Sequence, residues 1–142
     1  MPMDAKTTDL SRLASLPLLD DAAIDALRDP ELGGEPEFLA EVVDAFLGDT
    51  PPRIATIRES LASSDGIALS RAAHSLKGSS GNFGAQRLQT ICADLERLGR
   101  EGHLEHLAPL VAQVEIEYQA IASRLRELVA EATGSSVVAH GQ

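Results

Sequence analysis

Positions 73–85 read Ala-His-Ser-Leu-Lys-Gly-Ser-Ser-Gly-Asn-Phe-Gly-Ala. A lysine follows the histidine at three residues, and glycines follow it at four and seven. In a helix, His74, Lys77, Gly78 and Gly81 therefore share one patch of surface. A glycine inside a helix costs about 1 kcal/mol relative to alanine. Two glycines beside one histidine indicate that another molecule approaches that histidine closely.

Apolar residues in this region recur with the period of a helix. When each residue is rotated by about 100° from Leu69, one inner stripe contains Leu69, Ala72, Ala73, Leu76, Ser80 and Phe83. His74 then lies about 140° from Leu69, Gly78 about 180°, Gly81 about 120° and Lys77 near 80°. The sequence therefore predicts a helix over about residues 67–83 whose histidine faces away from the core.

A second helix is predicted from Gln86 to Arg100, with an inner stripe of Leu88, Ile91, Cys92, Leu95 and Gly99. Its flank carries Gln89, Glu96 and Arg100. If the two helices are antiparallel neighbours, either Glu96 or Gln89 can approach His74. A carboxylate that accepts the Nδ1 proton fixes the tautomer and leaves the Nε2 lone pair facing outward, as covalent catalysis by histidine requires.

The rest of the chain also shows helical patterns. We expect short helices over residues 10–16 and from Asp20 or Asp21 to Arg28, a turn at 33–34, a long helical segment from Pro36 to Leu61, and a last helix over residues 104–132. Pro51-Pro52 interrupts the long segment. Either Thr50 caps a new helix there or one helix bends, and we favour a bent or broken pair of about seven turns.

These elements predict an all-α fold, an antiparallel four-helix bundle with an additional short N-terminal helix. We divide the chain into a flexible leader (1–8), the helical bundle (9–132) and a flexible Gly/Ser-rich tail (133–142). The start at Met1 and the short tail favour a free-standing protein over a domain of a longer one.

The bulk composition excludes several classes of function. The 142 residues carry a net charge of −10, which argues against binding to nucleic acid or to anionic membranes. Cys92 is the single cysteine, so no intrachain disulfide can form, and this fits a reducing compartment. No secretory leader and no run of about 18 apolar residues is present. We therefore expect a cytoplasmic protein.

A phosphoryl group suits the patch around His74. Phosphoryl transfer depends on in-line approach and on stabilisation of charge. Lys77 offers a mobile positive charge for the phosphoryl oxygens, and Gly78 removes a side chain that would block a partner. Ser79 and Ser80 add hydroxyls nearby, although Ser80 faces the predicted core.

The motif resembles that of the histidine-containing phosphotransfer (HPt) family of two-component phosphorelays. The matching run is His74-x-Leu-Lys-Gly-Ser-Ser-x-x-x-Gly-Ala, which continues through Leu88, Cys92, Leu95-Glu96 and Arg100. The resemblance covers about residues 20–130 and implies that His74 accepts a phosphoryl group from a receiver-domain aspartate and passes it to another receiver.

The resemblance also implies roles for individual residues. Lys77 and Gly78 match the lysine and the small residue beside the family's histidine, and Glu96 matches the position that hydrogen-bonds it. Many relatives have Gln there, whereas phosphotransfer domains of chemotaxis kinases often have Glu. We expect Gly81, Ser79 and Arg100 to clear space for the partner or to contact it.

The expected protein is a monomeric phosphocarrier without a cofactor, because any magnesium would belong to the receiver. Its partners would be receiver domains of response regulators, including those of hybrid histidine kinases. It lacks a Gly-rich nucleotide-binding loop, so it should not phosphorylate itself from ATP. The alternative is a module that docks a receiver or kinase without transferring phosphate, with Phe83 or nearby aliphatic residues as its anchor.

Overall fold

Four long helices form the body of the fold: α3 (Pro36–Ala62), α4 (Gly66–Gly81), α5 (Gln86–Glu101) and α6 (Ala108–Thr133). They follow α1 (Leu10–Leu13), α2 (Asp21–Arg28) and a 3₁₀ turn (Pro30–Leu32). This computed structural model describes residues 9–133, and within that range it contains no strand. The predicted all-α bundle is confirmed. The predicted leader (1–8) and the tail beyond Thr133 lie outside the described residues.

The long helices pack in a closed cycle, in which α3 contacts α4, α4 contacts α5, α5 contacts α6 and α6 contacts α3. Consequently α4 lies diagonally opposite α6. Leu88, Ile91, Cys92, Leu95 and Gly99 of α5 are buried as predicted, together with the inner stripe of α4. In the described part of the chain, no helix is both long and apolar enough to span a bilayer.

Two helix boundaries differ from the sequence prediction by three residues or more. The first helix ends at Leu13 instead of Leu16. Pro17 disfavours helical geometry in Leu16, the residue before it. The last helix begins at Ala108 instead of Leu104. His106 adopts a left-handed conformation with φ +66°, which no continuous right-handed helix can include.

A single helix, α3, passes through Pro51-Pro52, so of the two alternatives left open by the sequence the new helix is excluded and the single helix remains. Thr50 is fully buried within this helix and does not cap a new one. Pro51 has no N–H to donate to the carbonyl of Leu47 one turn earlier. The Tyr118 hydroxyl of α6 donates to that carbonyl over 3.4 Å. The neighbouring helix therefore supplies a donor that the proline removes.

An aromatic cluster fills the centre of the bundle. The Phe46 ring of α3 packs edge-to-face on Phe83 with a centroid distance of 5.3 Å, and it contacts Tyr118 at 5.8 Å. These are three of the four aromatic residues in the chain. Phe83 is fully buried just after α4, so this cluster fixes the end of the helix that carries His74.

Small residues allow α4 and α5 to approach closely. A Cβ at Gly99 would lie 2.7 Å from the carbonyl oxygen of Gly66 and 3.1 Å from the amide nitrogen of Ser70. At the other end of the pair, Gly84 ends the turn after α4 with φ +62°. This close approach fixes the position of α5 along α4 and therefore decides which α5 residues face His74.

The segment before α2 is tied across the turn between α4 and α5. The amide of Asp20 donates to the carbonyl of Phe83 at 3.0 Å, and Nε of Arg87 donates to the carbonyl of Leu16 at 2.8 Å. The Arg87 Nη1 atom also lies 3.8 Å from Oε1 of the buried Glu117 in α6. One arginine thus connects the N-terminal segment, α5 and α6.

We predict that Tyr118→Phe lowers the free energy of unfolding by about 0.5–1 kcal/mol, because the Leu47 carbonyl loses its donor. In a Pro51→Ala background, a backbone N–H is available to that carbonyl, and the same substitution should cost measurably less. Urea unfolding of the four proteins in this double-mutant cycle measures the coupling. Equal costs in both backgrounds would contradict the proposed role of the hydroxyl.

Candidate functional site

His74 projects from the middle of α4 into solvent. Asp65 caps the helix by accepting the Ala68 amide at 3.1 Å, and every residue of the predicted inner stripe is buried. The His74 side chain, in contrast, is 68% exposed. The outward orientation predicted from the helical phase is confirmed. The ring is therefore held on a rigid element and remains accessible to another protein.

The Glu96 carboxylate contacts both the His74 imidazole and the Lys77 ammonium of the motif. Glu96 Oε2 lies 2.9 Å from Nδ1 of His74, and Glu96 Oε1 lies 2.7 Å from Nζ of Lys77. The Glu96 side chain is 17% exposed. Of the two predicted candidates on α5, the structure places Glu96 against the histidine. Gln89 lies opposite Gly81 instead, where a Cβ would approach its Nε2 to 3.0 Å.

The contact with Glu96 determines how the imidazole is presented. A carboxylate is an acceptor only, so Nδ1 carries the proton in this hydrogen bond. The Nε2 atom of the neutral ring then keeps its lone pair. Because the side chain is mostly exposed, that lone pair is available to an electrophile from solvent.

Glu96 remains an acceptor because its carboxylate form is stabilised. Contact with the Lys77 ammonium is the main cause that lowers the pKa of Glu96, and the hydrogen bond to His74 acts in the same direction. Partial burial opposes both effects. Glu96 therefore stays ionised at pH values at which an ordinary glutamate becomes protonated, and it continues to orient the ring there.

The two glycines of the motif have different surroundings. A Cβ built at Gly78 meets nothing within 4 Å, so this residue leaves bare backbone on the exposed face beside His74. Gly81 faces the Gln89 side chain instead. Gly78 therefore leaves open space beside His74, whereas Gly81 allows α5 to pack beside α4.

The other predicted site residues lie around this centre. The half-buried Ser79 hydroxyl donates to the Leu76 carbonyl at 3.3 Å, and the buried Ser80 hydroxyl donates to the Lys77 carbonyl at 3.1 Å. Arg100 is exposed one turn after Glu96 and forms no ion pair within residues 9–133.

Cys92 is buried in the core, where burial raises the pKa of its thiol to about 12. At neutral pH this thiol is protonated and is not a nucleophile.

Three exposed residues near this surface were missed by the sequence reasoning. Phe38 of α3 is 48% exposed and lines a groove of about 330 Å³ that reaches Ser79. Ile67 and Arg71 are exposed on α4 before the histidine. The helical spacing that grouped Lys77 with His74 also groups Arg71 with it, three residues upstream. Phe83, the anchor of the alternative docking hypothesis, is fully buried and cannot contact a partner.

Comparisons with known proteins assign the helices that carry this site to a known domain family. The Hpt domain family model matches residues 41–128, which include both α4 and α5. The chain therefore belongs to the Hpt domain family. The family resemblance expected from the motif is thus confirmed.

Individual relatives extend the match along the chain. Histidine-containing phosphotransfer protein 2 of Arabidopsis thaliana is 30% identical over 98 residues, which is 67% of this chain and 63% of that protein, less than two thirds of its length. Histidine-containing phosphotransfer protein 5 of the same plant is 31% identical over 111 residues, covering 76% of this chain and 71% of the relative.

A solved structure shows the same fold. The crystal structure of histidine-containing phosphotransfer protein B (HptB) from Pseudomonas aeruginosa PAO1 superposes with a TM-score of 0.72 at 29% sequence identity. The superposition covers 82% of this chain and 97% of that structure. The similarity therefore includes nearly the whole of the bacterial domain.

We predict that Gly78→Ala raises the free energy of unfolding by about 0.5–1 kcal/mol, because the Cβ meets nothing and alanine favours the helix. The bulkier Gly78→Leu should still fold but should slow phosphoryl exchange with a receiver, since its side chain occupies the cleared surface. Gly48 of α3 provides the matched control, because it is also helical with no atom near a Cβ. Slowed exchange in Gly48→Leu to the same extent would contradict a specific role for Gly78.

We also predict that Glu96→Gln lowers the free energy of unfolding by an amount that depends on pH. The folded-state pKa of Glu96 lies below its ordinary value of 4.5. Its ionised form therefore contributes stability above pH 4.5 that is lost as the pH falls through the folded-state pKa. The difference in unfolding free energy between wild type and Glu96→Gln should shrink in acid.

Urea unfolding at a series of pH values measures this difference. Glu105→Gln serves as the control, since Glu105 is exposed and forms no ion pair in the described part of the chain. A wild-type advantage over Glu96→Gln that stays constant from neutral to acidic pH would contradict the prediction.

Proposed function

We propose that this chain is a phosphorelay carrier that accepts a phosphoryl group on Nε2 of His74 from a receiver-domain aspartate and passes it to a second receiver. The observation that carries this proposal is the exposed imidazole whose Nδ1 is held 2.9 Å from Glu96 beside the bare backbone of Gly78. An oriented nucleophile with free space next to it suits an in-line reaction between two folded domains.

The transfer step follows from this geometry. The Nε2 lone pair attacks the phosphorus of the aspartyl phosphate, a P–N bond forms, and the P–O bond to aspartate breaks. The aspartate leaves as a carboxylate with the bonding electron pair. Because Nδ1 keeps its proton, the ring becomes formally cationic, and the adjacent Glu96 carboxylate stabilises this charge. The reverse sequence of bond changes passes the group to the next receiver.

Lys77 supports the transfer through charge. Its ammonium rests on Glu96 at 2.7 Å and is about one third exposed, so it lies beside the ring but is still accessible. The incoming phosphoryl oxygens carry negative charge that a lysine on a flexible stem can contact. We expect Lys77→Met to slow transfer without abolishing it, since the nucleophile remains in place.

The same proposal covers partners and location. The partners are receiver domains of response regulators, including those of hybrid histidine kinases. Magnesium belongs to the receiver, and the carrier needs no cofactor and no ATP. We place the protein in the cytoplasm as a monomer, because one acceptor histidine per chain needs no second copy.

A second candidate is a docking module that binds a receiver or kinase without transferring phosphate. The exposed Phe38 beside the groove that reaches Ser79 favours it, since exposed aromatic side chains commonly anchor interfaces. The two candidates differ in one property only. The carrier requires His74 Nε2, whereas the docking module requires only the surface.

Incubation with ³²P-labelled receiver domains tests the proposal. Label should move to the wild-type chain within short times and should be stable in alkali and labile in acid, as a phosphoramidate is. His74→Gln should abolish the labelling and retain the helical circular dichroism spectrum, since the residue is exposed. Label on the His74→Gln chain would reject the carrier function, and receiver binding without labelling of the wild type would favour the docking module.

A further inference from the structure

The charge of α4 is opposite to that of the chain as a whole. The protein carries 22 acidic and 12 basic residues. Nevertheless, Gly66–Gly81 contains Arg71 and Lys77 and no acidic residue. The nearest acid from the facing helix, Glu96, is already paired with Lys77. The histidine helix therefore presents a locally positive surface on an acidic protein.

One exposed stripe of α4 contains Ile67, Arg71, His74 and Gly78. Their spacing of four, three and four residues places them on one face of the helix. Ile67 is 51% exposed, which makes it one of the few large apolar side chains left in solvent within residues 9–133. The stripe thus continues past the histidine toward the beginning of α4 with an apolar and a cationic side chain.

Arg71 of α4 and Arg100 of α5 each follow a residue at the contact between the two helices. A Cβ at Gly99 would lie 3.1 Å from the amide nitrogen of Ser70, and because the two helices are antiparallel, the next residue of each, Arg100 and Arg71, falls on the same side of this contact. Both arginines are exposed, and neither forms an ion pair in the described part of the chain. One guanidinium group lies one turn before His74 and the other one turn after Glu96, and neither has an ion-pair partner within residues 9–133.

We propose that Ile67, Arg71 and Arg100 form a specificity-determining docking surface for a receiver domain whose contact edge combines acidic side chains with an apolar contact. This inference rests on the carrier function proposed above and specifies its partner. Unpaired cations accelerate the encounter with an acidic surface and orient it. The exposed isoleucine contributes apolar contact area once the two domains have met.

Charge-reversal variants test this surface. Arg71→Glu and Arg100→Glu are compared with Arg126→Glu, a control with the same change of net charge on α6, the helix diagonally opposite α4. The assay measures the second-order rate constant for transfer from a ³²P-labelled receiver that phosphorylates the wild type. We expect a decrease of about tenfold for Arg71→Glu and Arg100→Glu at low salt that becomes smaller at high salt, and little change for Arg126→Glu.

Two further measurements separate docking from chemistry. Loading of His74 from the small donor phosphoramidate, which has no docking surface, should proceed in all variants at the wild-type rate. Ile67→Ser should weaken transfer from the receiver at both salt concentrations, since an apolar contact is not screened. Arg71→Gln provides a milder variant if a charge reversal lowers the melting temperature.

Three outcomes would overturn the proposal. Arg71→Glu and Arg100→Glu with the same transfer rate as Arg126→Glu would exclude the surface. Slowed loading from phosphoramidate would show that the arginines act on the phosphoryl group itself. An unchanged transfer rate for Ile67→Ser would exclude Ile67 from the proposed docking surface. Failure of the carrier function is a different result, because the wild type would then accept no label from any receiver.

Discussion

The close packing of α4 against α5 is the constraint on which the functional surface depends. Gly66 and Gly99 remove the side chains that would separate the two helices, and their backbones approach within van der Waals distance. This contact fixes the register of the pair. Because of that register, a residue of α5 lies opposite His74 and a second lies opposite Gly81. The geometry around His74 is thus decided at a contact that lies about two turns before the histidine on α4.

Glu96 converts this register into chemistry. One oxygen of the Glu96 carboxylate contacts the His74 imidazole and the other contacts the Lys77 ammonium. The orientation of the ring and the position of the positive charge are therefore linked. The Lys77 charge keeps Glu96 ionised, and the ionised Glu96 keeps the Nδ1 proton in place. A neutral residue at this position could orient the ring but could not balance the lysine.

Much of the fold and the site could be predicted from the sequence, because helical phase is a local property. The outward direction of His74 and the inner stripes of α4 and α5 follow from residue spacing alone. Residue spacing alone could not decide between Glu96 and Gln89, since that choice depends on the register between two helices, and only the family resemblance pointed to Glu96. Whether α3 continues through Pro51-Pro52 could not be decided either, because the Tyr118 hydroxyl that satisfies the Leu47 carbonyl lies about seventy residues along the chain. Likewise, nothing in the sequence around His106 signals its left-handed conformation.

The N-terminal segment tied across the turn between α4 and α5 has a consequence for the order of folding. The α4–α5 hairpin brings together residues close in sequence, and its loop is short, so it can form early at small entropic cost. The hydrogen bond between Asp20 and Phe83 closes a far longer loop and gains its enthalpy only after Phe83 is in place. We therefore expect the α4–α5 hairpin to assemble first and the N-terminal segment to close over it late. During local unfolding the same segment would detach first and leave the surface around His74 intact.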